Sequence, residues 1–202
     1  MIKFIQQTNA LAGSELSLQE IEALLNSENV NTEQLSQAQL DVLNHSKAID
    51  YLYDLLEIKA PLTENIIKDF NFLLLKDSAE ERFAGNYRNR CVLLPSTGKI
   101  PTQPYLLAPA MEKLIREYNN DIEKAEDKIA LIAKLHSDII SIHPFSDQNR
   151  RTARLVMNYE LVKYGYPWAI IRKEDKDIYE QALNQGEQHQ YAAIETLIKS
   201  RL

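Results

Sequence analysis

Between His143 and Arg154 the chain reads His143-Pro144-Phe145-Ser146-Asp147-Gln148-Asn149-Arg150-Arg151-Thr152-Ala153-Arg154. A histidine, a carboxylate and three arginines thus fall within twelve residues. Helical periodicity resumes near Asn149, so these residues surround the N-terminus of a helix, where free N–H groups and a partial positive charge attract anions. Arg150 and Arg154 are four apart and Arg151 and Arg154 three apart, spacings that share a helix face. Several converging guanidiniums suit a polyphosphate. Asp147, just before the helix, can hold a magnesium ion on that phosphate. His143 can take a proton from an incoming hydroxyl near neutral pH, and Phe145 points inward to lock the loop on the core. The same residues also fit a plainer reading, in which the basic helix start is a solvated face and Asp147 is a cap.

The elements that carry this loop read as helices. The segment 125–142 has apolar residues at Ile129, Leu131, Ile132, Leu135, Ile139, Ile140 and Ile142, pointing in nearly every direction, as in a helix buried inside a bundle. It anchors His143. The next helix runs from Asn149 to about Tyr164, where Gly165-Tyr166-Pro167 ends it. Upstream, Ser17-Leu18-Gln19-Glu20 is a capping box. Thr32 opens a long periodic segment that ends at Pro61, and Thr63 caps the helix after it. Further helices are expected near 106–119, 175–185 and 189–201. Cys91 to Ile100 reads as a short strand, a turn and a return strand. Among other chemistry-bearing residues, His136 is expected to be a hydrogen-bonded core residue and His45 and His189 to lie on the surface. Cys91 is expected to pack within its strand, and Trp168 to pack in the core or a lid.

Composition excludes several alternatives. The chain of 202 residues has only five glycines, none of them between His143 and Arg154. That speaks against a turn-rich β-sandwich and against Walker or dinucleotide loops. The net charge of −6 speaks against general nucleic-acid binding, which needs a positive footprint, and against anionic membranes. A single cysteine rules out an internal disulfide and fits a reducing compartment. The first residues do not read as a signal peptide, and no stretch approaches a membrane span of ~20 apolar residues. The expectation is one soluble, cytoplasmic helical domain with an inserted hairpin. Delivery of a bacterial protein of this kind into a host cell would leave no mark in these features.

HPFSDQNRRTAR resembles the Fic signature H-P-F-x-(D/E)-G-N-G-R-x-x-R. Ala84-Gly85-Asn86-Tyr87-Arg88 with Val92-Leu93-Leu94 resembles the stretch leading into that family's flap, and Tyr179-x-x-Ala182-Leu183 and Gly165-Tyr166-Pro167 resemble its later segments. The resemblance implies an all-α Fic-type helical bundle with a short β-hairpin flap. It implies a magnesium- and ATP-dependent protein adenylyltransferase, which moves AMP from ATP to a Ser, Thr or Tyr hydroxyl of a target protein. In that scheme His143 is the general base and Asp147 holds Mg2+. Gln148, Asn149 and Arg150 surround the anion hole, and Arg151 and Arg154 hold the β- and γ-phosphates. Val92, Leu93 and Leu94 in the flap dock the target as an added strand. Residues 31–202 would be the Fic core and 1–30 a segment resembling the family's inhibitory helix. A homodimer is compatible with this scheme.

Two departures bear on mechanism. Gln148 and Arg150 replace both signature glycines. Either the phosphate nest survives with Arg150 turned away, or the nucleotide reverses and the site acts as a Doc-like protein kinase, or the domain binds nucleotide or a partner without catalysis. The inhibitory pattern (S/T)-x-x-x-E-(G/N) matches Thr8-Asn9-Ala10-Leu11-Ala12-Gly13 in spacing. Thr8, Ala12 and Gly13 are then regulatory positions, with Ala12 where a glutamate would pair with Arg154.

Overall fold

A computed structural model describes residues 1–27, 30–94 and 98–202. Its helices are α1 (Ile2–Ala10), α2 (Leu18–Leu25), α3 (Gln37–Glu57), α4 (Glu64–Leu75), α5 (Leu107–Ile122), α6 (Lys128–Ile142), α7 (Asn149–Lys163), α8 (Lys176–Gly186) and α9 (Ala192–Lys199). Single 3₁₀ turns precede α3 and α8, and two, Glu81–Phe83 and Pro104–Leu106, lie between α4 and α5. No described helix is long and apolar enough to cross a membrane.

Local chemistry sets most helix starts. The Ser17–Glu20 capping box opens α2, Thr63 accepts from the Ile66 N–H at the start of α4, and Asp127 accepts from Ala130 N–H at the start of α6. The long third helix begins later than its periodicity suggests. Thr32 starts only a 3₁₀ turn, and a second capping box, Ser36 with Gln39, opens α3 at Gln37. Each box satisfies two N–H groups that the helix cannot, worth about 1 kcal/mol.

The core sits between α6 and α7, which α3, α4, α5, α8 and α9 enclose. Helix α7 is the surprise. It holds Arg151, Arg154, Asn158 and Glu160, yet all four are buried along with their apolar neighbours. Glu160 lies against Lys163 (3.4 Å) and accepts from the Tyr118 hydroxyl (2.7 Å), and burial raises its carboxyl above the usual range. Asn158 donates to the carbonyls of Arg154 and Ala169 and accepts from the Ala169 N–H. Polar groups this deep are tolerated because they are paired. Helix α1 joins the same core through Phe4 and Ile5, and Phe4 packs edge-on to Trp168 (centroids 4.9 Å), so Trp168 is core packing.

Three expectations need correction. No strand forms among the described residues, so the β-hairpin flap is not seen. Two turn-like bonds, Leu94 N–H to Lys99 O (2.9 Å) and Gly98 N–H to Leu94 O (2.8 Å), are present instead. Its tip, Pro95-Ser96-Thr97, lies outside the described residues. The physical reason lies in how the two ends of the segment are held. The buried Arg88 guanidinium donates to Arg90 O (3.0 Å) and to Thr102 O, which flank the expected strands, and Pro101, just past the return strand, has no N–H to give. Cys91 is exposed, with its thiol on Gln103 Oε1 (3.0 Å), rather than packed in a strand. His45 is fully buried on α3, not on the surface, because the face of α3 that carries it lies under α1, with Phe4 edge-on at 6.1 Å.

Candidate functional site

Helix α6 ends at His143 in a left-handed conformation (φ 54°), which turns the chain sharply out of the core. That turn is tied from outside. Arg88 Nε donates to the His143 carbonyl (2.8 Å), and the Arg88 N–H donates to Pro144 O (2.9 Å). Phe145 is fully buried beside Tyr87 (centroids 5.8 Å). Asn149 then closes the loop. Its Oδ1 accepts from the Phe145 N–H (2.9 Å) and its Nδ2 donates to the Phe145 carbonyl (2.8 Å). Asn71 on α4 adds a third tie, donating to the Asp147 carbonyl (3.0 Å) while accepting from the Gly85 N–H (3.1 Å). The Asn149 carbonyl oxygen and one of its amide N–H groups are thus on the backbone, so its side chain shapes the loop that lines the cavity. Asn149→Ala should leave two buried backbone groups unpaired and lower stability by about 2–4 kcal/mol, read as a shift of the urea midpoint at unchanged m-value.

Gln148 follows at φ 63°. A residue with a Cβ pays about 1 kcal/mol there, so this is the place where the first signature glycine is missed. The left-handed residue ahead of a helix N-terminus still forms a concave set of N–H groups suited to an anion. Arg150, at the second glycine position, is within α7 and has no positive φ, so the replacement strains nothing.

These residues line a cavity of about 480 Å3, together with Ala12, Asp41 and Glu180. The three arginines converge on it, as their spacing predicts, but each already has a partner. Arg150 makes a two-pronged ion pair with Glu180 of α8. Arg151 pairs with Asp41 of α3 (2.8 Å) and donates to Gln148 Oε1 (2.7 Å). Arg154, 2% exposed, donates to the Thr8 hydroxyl (2.6 Å) and the Thr8 carbonyl (3.1 Å). Asp147 is exposed on the wall. Its Oδ1 accepts from the Gln148 N–H (2.6 Å), while α7 itself starts at the Gln148 N-cap with no side-chain cap bond.

His143 lines the same cavity. Burial, then the Arg88 and Arg150 guanidiniums, lower its pKa to about 4, against smaller opposing effects of the Ile140 carbonyl and Asp147. The imidazole is neutral at pH 7 and able to accept a proton. His136 is the core residue expected, bonded to Ala153 O (3.1 Å) and the Tyr179 hydroxyl (2.8 Å), and His189 is exposed.

A family model, the Fic/DOC family, matches residues 61–161. The chain belongs to the Fic/DOC family. Among its relatives, the protein adenylyltransferase Fic of Nematostella vectensis is 28% identical over 187 residues, covering 90% of this chain and 42% of that protein. That of Drosophila melanogaster is 38% identical over 82 residues, 41% of this chain and 17% of the relative. The chain therefore spans less than half the length of these curated relatives. Among solved structures, a Fic-domain signaling protein from Bacteroides thetaiotaomicron superposes with a TM-score of 0.84 at 27% identity over 99% of this chain and 81% of its own. The C. elegans Fic-1 fragment, at 23% identity and TM-score 0.85 over 99% and 59%, shares the fold. The matched segment runs from α4 through most of α7 and so contains Arg88, His143 and the three arginines. It leaves out α1, with Thr8, and Glu180.

Several residues that shape this Fic site escape local sequence reading. Arg88 and Asn71 carry the loop, and Asp41 and Glu180 neutralise arginines. Arg88 had a signal, its place in Gly85-Asn86-Tyr87-Arg88. Asp41 and Glu180 had none, because they lie 110 and 30 residues from the arginines they meet.

Among the described residues, no group of three or more His, Cys, Asp or Glu could hold a metal by itself. The exposed carboxylate of Asp147, on the loop just ahead of α7, suits magnesium, which commonly binds through one or two carboxylates, waters and substrate phosphates.

Proposed function

We propose that this Fic domain transfers AMP from ATP to a hydroxyl of a target protein. The observation that carries the reading is a neutral imidazole, His143, on the wall of a cavity that also takes in three arginines and the N-terminus of α7. In this reading His143 takes the proton of the incoming hydroxyl. The oxygen forms a bond to the α-phosphorus, the bond to the β-phosphate oxygen breaks, and pyrophosphate leaves. The N–H groups at the start of α7 with Gln148 stabilise the charge on the transferring phosphate, and Arg151 and Arg154 receive the outer phosphates. Asp147 would hold magnesium, which neutralises phosphate charge. Position and preorganised charge supply the catalysis. The exposed side chain of Leu93, between Val92 and Leu94, supplies apolar surface for docking the target.

Regulation by the end of α1 belongs to the same proposal. Thr8 occupies Arg154 now, and Gly13 (φ 99°) ends α1 so that Ala12 reaches the cavity wall. Ala12 has no carboxylate, so the groups that compete with phosphate for Arg154 are neutral, the Thr8 hydroxyl and carbonyl and Tyr179.

Reversed ATP, with phosphoryl transfer, draws less support, because the Arg150 charge that favours it is held by Glu180. Incubation with target lysate and ATP labelled at either phosphate tests the reading. Label from the α-phosphate on protein is expected. Label from the γ-phosphate alone would establish a kinase, and no label from either, still none after Gln148→Gly with Arg150→Gly, would leave a non-catalytic binding domain.

A further inference from the structure

Glu180 has no part in the reaction just described, yet it makes a two-pronged ion pair on the cavity wall. The cavity wall carries four carboxylates, Asp41, Glu80, Asp147 and Glu180, and four cations, Arg150, Arg151, Arg154 and Lys176. Its formal charge therefore balances before any ligand enters. The arginines differ in how free they are. Arg151 and Arg154 are 8% and 2% exposed and are fixed by partners on α3 and α1. Arg150 has a side chain 39% exposed and meets a Glu180 side chain 25% exposed. It is the one whose release needs only a rotation of its own side chain. Its backbone is already in the first turn of α7, where phosphate would bind. In a two-pronged pair both guanidinium prongs are used, Nη1 on Oε1 and Nη2 on Oε2 (2.7 Å). Such pairs are geometrically specific.

We infer that Glu180 is a positioning residue of this site, gripping Arg150 against α8 and so keeping the guanidinium out of the phosphate path. The arginine at the second glycine position is thereby tolerated, and the outer phosphates meet Arg151 and Arg154 without a third competing cation. The inference rests on the proposed reading only in that the cavity accepts a polyphosphate.

The test is calorimetric binding of inorganic tripolyphosphate to wild type, Glu180→Gln, Arg150→Ala and the double variant. Glu180→Gln keeps the shape and removes the charge, and freed Arg150 is expected to tighten binding roughly tenfold with a steeper dependence on salt. In the Arg150→Ala background the same change should do nothing. Unchanged affinity in Glu180→Gln overturns the inference. So does an equal gain in the Arg150→Ala background, which would mean that any lost carboxylate helps an anion. Glu80→Gln measures that general field effect directly, and a tenfold gain there would overturn the inference too. The cycle reads no chemistry. A protein that shows it but transfers no AMP would lose only the proposed activity, and a protein that transfers AMP without it would lose only the role of Glu180.

Discussion

His143→Ala is expected to cut AMP transfer by about 10²–10⁴-fold, the usual contribution of a positioned general base, while tripolyphosphate still binds. The arginines are held by Glu180, Asp41, Gln148 and Thr8, not by the imidazole, so binding and transfer should separate cleanly. The pH profile adds a sharper signature. With a folded pKa of about 4, the base is neutral over the physiological range and is lost only as pH falls through that value. The acid limb of kcat/KM, which reports the free enzyme, is therefore expected near pH 4 and not near the ordinary 6.5. Part of the lowering comes from Arg88 and Arg150. Bound triphosphate opposes those charges and should raise the pKa again, so the limb of kcat should lie at higher pH than that of kcat/KM. Retained transfer in His143→Ala, or coincident limbs at 6.5, would remove His143 from the role of base in its present environment.

The second large effect is expected from Arg88, to which the proposed reaction gives no contact with substrate. Its side chain is 4% exposed and donates to the carbonyls of His143, Arg90 and Thr102. Arg88→Ala would leave these without their charged donor and free both the His143 turn and the base of the 90–102 segment. A loss of about 3 kcal/mol is expected, seen as a fall in Tm of roughly 6–12 °C for a chain of this size. Arg88→Lys should recover little, since one ammonium cannot reach three separated carbonyls as a planar fork does. Because Arg88 also holds down the His143 pKa, the acid limb of kcat/KM in the lysine variant should stay low while the alanine variant's rises. A melting temperature within a degree or two of wild type would show that water replaces the guanidinium at no cost.

Where the chemistry is local, the residues announce it. Ser17 with Glu20, Thr63 and Asp127 cap their helices because a side chain three residues from an orphan N–H can reach it in almost any fold. The loop from His143 to Arg154 is legible for the same reason: helix spacing places three arginines and a helix N-terminus together whatever lies around them. Helix α7 was legible in extent but not in burial, since Arg151, Arg154 and Glu160 look like surface until Asp41, Thr8 and Tyr118 arrive from other helices. The apolar run at Cys91–Leu94 misled because strand formation needs a partner ladder, and Arg88 instead holds the carbonyls that flank the segment.

The type of site we propose, a base beside an anion-binding helix start, was written in twelve consecutive residues. How charged that site is when empty was not. Each guanidinium's partner comes from a different helix, Thr8 from α1, Asp41 from α3 and Glu180 from α8, and no spacing rule links positions up to 146 residues apart. Burial forces those pairings, because a cation taken out of water must find an acceptor, and only packing determines which acceptor is within reach.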